Sequence, residues 1–185
     1  MSKFFCIVSF AILIFSGNVF ASQQLGRLLI SYGSPIHYDA EASGALKDLP
    51  IEVRRGIKDF SAYKAGKDGD ISILEISSIQ LGAGDPVSRD GFMFAVNYLI
   101  NRPGVSNLKY DFVDTNTSGY PSVRVKYKGK YNGANLGGEI LYAYDVSSNS
   151  AWIVVVFYSW ESGFFSSYRN AAEQAESVIN SVGII

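Results

Sequence analysis

The stretch that most constrains this chain is residues 151–160, AWIVVVFYSW, which carries both tryptophans and no charged side chain. On a strand, Trp152, Val154, Val156, Tyr158 and Trp160 point one way and Ile153, Val155 and Phe157 the other, because successive side chains alternate between faces. Both faces are therefore apolar. A strand of that kind belongs in the interior of a sheet with cover on each side, and the remaining segments must supply that cover.

The first residues have a different character. Lys3 followed by an almost unbroken apolar run over 4–15 and then Val19-Phe20-Ala21 reads as a secretory signal peptide cut after Ala21. A run of about a dozen residues is shorter than the roughly 20 needed to span a bilayer as a helix. The expectation is a segment 1–21 that is removed and a single domain over 22–185, in the periplasm or outside the cell, with no integral membrane segment after cleavage. Cys6 is the only cysteine and goes with the leader. A disulfide framework, a thiolate nucleophile and a zinc-cysteine site are then all excluded. The chain has 16 basic and 17 acidic side chains, and cleavage removes one more cation, Lys3. That balance argues against nucleic acid as a partner.

Downstream of 22, residues 25–30 form a short apolar segment and 40–49 a loop with at most one turn of helix. Extended runs are expected over 51–63 and 71–81, with an Asp68-Gly69 turn between them. Phe92, Ala95, Val96 and Leu99 follow a helical period, which predicts a helix over 88–101 with Ser88 as its N-cap and Pro103 as its stop. Strands follow at 108–115, 122–130, 138–145 and 151–160, separated by short Asn-, Gly- and Ser-rich gaps of the length that joins antiparallel neighbours. Phe165, Tyr168, Ala172, Ala175, Ile179 and Val182 predict a second helix over 163–182, with Gly183 just past its end. The two helices are expected on opposite faces of the sheet.

This order of elements, with Gly119-Tyr120-Pro121 before Val123-Arg124-Val125, a tryptophan-headed apolar strand and a terminal helix ending Val178-Ile179-Asn180-Ser181, resembles the PsbP-like fold group over most of residues 51–184. The resemblance implies an α+β fold in which an antiparallel meander is packed with helices on both faces, an α/β/α sandwich. It also implies a protein-binding or accessory role like that of photosystem extrinsic subunits and exported bacterial PsbP-like and DcrB-like relatives. It carries over no site residue.

Two features could carry function. Arg124, Lys126, Lys128 and Lys130 alternate with Val123, Val125 and Tyr127, which puts four cations on one face of one strand, either as a stripe for an acidic partner or as protection of a sheet edge. Tyr142 and Tyr144, in a chain with 12 tyrosines and 12 phenylalanines, could contribute aromatic contact surface or be ordinary half-buried sheet residues. Catalytic machinery is not legible. His37 is the sole histidine, which rules out the usual paired-imidazole metal sites. Asp68-Gly69-Asp70 lacks the later ligands of a calcium loop, and Asp111 with Asp114 is no recognisable glycosidase pair. The sequence points to an exported, non-enzymatic binding or accessory module that needs no cofactor and has another protein as partner. The alternatives are a small-ligand binder or hydrolase with a cleft between helix and sheet, and an inhibitor or immunity protein against a toxic enzyme.

Overall fold

A computed structural model describes residues 22–32, 36–44, 57–65, 71–79, 87–100, 103–160 and 165–185. The expected leader 1–21, the Asp68-Gly69 turn and residues 51–56 lie outside the described residues. In chain order the elements are β1 (Ser22–Leu25), β2 (Leu28–Ser31), β3 (Ile36–Tyr38), a short α1 (Ala40–Gly44), β4 (Ile57–Ala65), β5 (Ile71–Ile79), α2 (Arg89–Ile100), β6 (Val105–Thr117), β7 (Tyr120–Tyr131), β8 (Ala134–Asp145), β9 (Ser150–Trp160), α3 (Phe165–Asn180) and β10 (Val182–Ile184).

Seven strands form one antiparallel sheet in the order β3-β4-β5-β9-β8-β7-β6. β9, the strand greasy on both sides, takes the middle position. From β6 to β9 the chain is a plain meander, and its turns explain why. Ser118-Gly119 and Asn132-Gly133 each place two successive residues at positive φ (52° and 88°, 49° and 87°), the backbone that matches a two-residue hairpin to the twist of its strands. α2 begins where its cap predicts: the Ser88 hydroxyl accepts a hydrogen bond from the Gly91 N–H at 3.1 Å.

The expected α/β/α sandwich is corrected by the structure, which is sheet-dominated. One face of β9 contributes Trp152, Val154, Val156 and Tyr158 to a core with Leu141, Ala143 and, from α3, Ala171, Ala175, Val178 and Ile179. That layer is completed by a second sheet, β1-β2-β10, which adds Leu25, Leu28, Ile30 and Ile184. On the opposite face Ala151, Ile153, Tyr142, Val123 and Val125 meet Val87, Phe92 and Val96 in and just before α2. One 12-residue helix cannot cover seven strands, and the outer strand β6 is left exposed on both faces. The physical reason for the difference lies in segments 22–31 and 182–184. Segment 22–31 turns back on itself at Gly26 (φ 60°), and Gly183 pairs with Leu29 as part of β10 instead of ending α3 as a cap. Residues expected to be a short apolar segment and a helix end thus build a sheet layer.

Candidate functional site

Cross-strand register decides which side chains share a face. Arg124 lies between Val113 and Leu141, and Lys126 between Asp111 and Glu139, so these side chains all stand on the face that carries α3. Glu139 is buried there. Arg124 donates to its carboxylate through Nε at 2.7 Å and to the Asn180 side-chain oxygen through Nη1 at 2.6 Å. Lys126 bridges Glu139 at 3.5 Å and Glu176 at 2.9 Å. The Lys126 hydrogen bond, reinforced by the positive charge of Lys126 and Arg124, holds the Glu176 carboxyl below the usual carboxylate range. The network ties β7 and β8 to the last two turns of α3. Beside it runs a shallow groove of about 440 Å³ lined by Ser31, Glu173, Glu176, Ser177, Asn180 and Ser181.

The stripe read from the sequence is therefore divided in two. Arg124 and Lys126 are committed within the molecule. Lys128 is exposed and Lys130 half-buried, and among the described residues neither has an acid within salt-bridge distance. The reading of β7 as a sheet edge is corrected, since β6 pairs along its outer side. Tyr142 is fully buried at 0% exposure, stacked on Phe92 with ring centroids 4.4 Å apart and an interplanar angle of 4°. It cannot present its ring to a partner in this fold, and burial pushes its phenol well above its ordinary pKa. Tyr144 is half-buried and stacks on Tyr142 at 5.4 Å. His37 is exposed on β3. Among the described residues no three His, Cys, Asp or Glu side chains are grouped as metal ligands would be, and no helix is long and apolar enough to cross a membrane.

The sequence reading placed a strand at 108–115 but missed that this strand, β6, is an exposed edge of the sheet. This strand runs 13 residues, pairs with β7 on one side and, among the described residues, with no strand on the other. It exposes Val113 (64%), Phe112 (46%) and Tyr110 (38%). Tyr110, Phe112 and Asp114 stand on the α2 face, where Arg89 pairs with Asp114 at 2.7 Å and lies over the Phe112 ring at 5.4 Å. Lys109, Asp111 and Val113 stand on the α3 face with Lys128 opposite Lys109. The signal was present in the sequence: Leu108, Tyr110 and Phe112 alternate with Lys109 and Asp111, but Val113 and Asp114 reverse the phase, which leaves apolar and charged residues on each face of a strand without a covering layer.

Neither a protein-family model nor a curated protein matches the sequence. Among solved structures, the chain is similar to a point mutant of Protein Mog1, at 9% identity over 89% of this chain and 94% of that one, with a TM-score of 0.51. It is also similar to the Ran-binding protein Mog1p of Saccharomyces cerevisiae (9% identity, 86% and 90% coverage, TM-score 0.49). A third is PA94, a Pseudomonas aeruginosa protein of unknown function (14% identity, 64% and 80% coverage, TM-score 0.43). At 9% identity the first likeness is one of fold alone. It corrects the resemblance drawn from element order: the solved structure that shares the fold is a Mog1 protein, and nothing places the chain among exported bacterial PsbP-like relatives. Element order reports hydrophobic periodicity, which belongs to a fold and is shared by every lineage that uses it.

Proposed function

We propose that this chain is an exported, non-enzymatic module that binds another protein, and that β6 with its two faces is the contact surface. The observation that carries the reading is the exposure of Tyr110, Phe112 and Val113 on one uncovered edge strand. Tyr110 and Phe112 offer apolar surface on one face of the strand, and Val113 stands on the other beside Lys109 and Lys128, which have no ion-pair partner among the described residues, so an apolar contact on one face is joined by a charged one on the other. The free N–H and C=O groups along the strand add a row of hydrogen-bonding sites for an extended partner segment. Export rests on the leader-like residues 1–21. The groove along α3 does not favour a ligand-cleft reading, because both its carboxylates are engaged: Glu173 accepts from Arg169 at 2.8 Å and Glu176 from Lys126 at 2.9 Å.

The test is capture of a partner from periplasmic extract on the immobilised protein, repeated with Phe112→Ser and Val113→Ser. A partner retained by the wild type and lost by both variants supports the reading. A partner that binds both variants as well as the wild type overturns β6 as the surface. Mass spectrometry of the exported protein is expected to find Ser22 at its N-terminus, and a retained Met1 would refute cleavage.

A further inference from the structure

The outer edge of β6 is self-complementary. Placing a second copy antiparallel beside it, with a two-fold axis normal to the sheet through Tyr110, sets residue pairs whose numbers sum to a constant. Lys109 then meets Asp111 of the other copy, twice by symmetry, while Leu108 meets Phe112 and Tyr110 meets itself. Residues directly opposed across antiparallel strands point to the same side, so one face of the seam carries two ion pairs and the other an apolar row of leucine, tyrosine and phenylalanine. Shifting the axis by one residue in either direction opposes Lys109 to Lys109 or Asp111 to Asp111. Only the Tyr110 register satisfies both faces.

The surroundings of the strand fit this arrangement. Among the described residues, Lys109 and Asp111 have no ion-pair partner within the molecule, and Lys109 faces a like charge, Lys128, across β7. α3 packs over β9 and β8, so on its face β6 is clear of the helix layer. The irregularity between Ser106 and Lys109, with Asn107 at φ 53°, ends the regular edge at Leu108 and so limits the seam to about five residues per copy. We infer that the protein self-associates as a two-fold dimer by pairing β6 of one copy with β6 of another about Tyr110. This rests on the reading of β6 as the contact surface and names a second copy of the chain as its occupant. A seam this short belongs with small, weak interfaces, so dimer forms at micromolar to millimolar protein.

Sedimentation equilibrium of the purified protein tests it with four samples: wild type, Lys109→Asp, Asp111→Lys, and an equal mixture of the two variants. Each variant alone brings four like charges to its seam, and its dimerisation should weaken about tenfold, while circular dichroism and Tm stay at wild-type values. In the mixture every acid again faces a base, so a heterodimer of wild-type affinity should appear. Wild-type protein that stays monomeric up to millimolar concentration overturns the dimer, and so does a mixture that associates no better than either variant. A monomeric protein that still captures a partner through Phe112 and Val113 would remove the dimer and leave the binding surface standing.

Discussion

Glu139 is the residue whose environment leaves least room for change. Its carboxylate is buried in β8 and held by Arg124 and Lys126. Removing one partner of a buried pair leaves the other charge uncompensated, so Glu139→Ala should cost about 3 kcal/mol, read as a lower midpoint in urea unfolding. Glu176 is about half exposed, and Glu176→Gln should cost less than about 1 kcal/mol. The same contrast runs along the cationic stripe. Arg124→Gln should destabilise measurably, whereas Lys128→Gln should leave stability within about 0.5 kcal/mol. The period-two spacing correctly placed these cations on one face, because alternation is a property of the strand itself. It could not say which of them were engaged, because Glu139, Glu176 and Asn180 come from segments 15 to 56 residues away, and their arrival depends on tertiary packing.

At the scale of elements, the close approach of β8 to its neighbours is built into Gly137 and Gly138. A Cβ at Gly138 would fall 2.1 Å from the Val156 carbonyl oxygen, and one at Gly137 would fall 2.9 Å from the Tyr158 ring. Gly138→Ala should therefore destabilise by more than about 2 kcal/mol, since a backbone oxygen has no free rotation by which to retreat. Thermal unfolding followed by circular dichroism measures it. α2 depends on one stacked pair, and Phe92→Ala should cost about 3 to 5 kcal/mol by opening a cavity over Tyr142. α2, α3 and the strands of the meander were legible because they are long and strongly periodic, with turn residues between them. β1, β2 and β10 were not: they are 4, 4 and 3 residues long, too short for a period to register, and the pairing of β2 with β10 joins residues more than 150 positions apart.

At the scale of the molecule, the ion pairs set a direction for acid sensitivity. The Glu176 carboxyl is lowered by Lys126, and Asp145 by hydrogen bonds from Ser147 and Ser148. A carboxyl whose folded pKa lies below its unfolded value, about 4, adds stability that is complete above that value and is lost as pH falls through the folded one. Urea midpoints should thus fall as the pH drops below about 4, and Glu176→Gln should flatten that fall. The larger consequence of the architecture lies in the order β3-β4-β5-β9-β8-β7-β6. β9 is the last strand of the large sheet to appear in the chain, yet it is the one that joins β5 to β8. As the polypeptide is synthesised, β5 has no inner neighbour until residue 160 has emerged, and β2 waits longer still for β10. Joining β3-β4-β5 to the meander is accordingly a late step that rests on contacts distant in sequence and is slow for that reason.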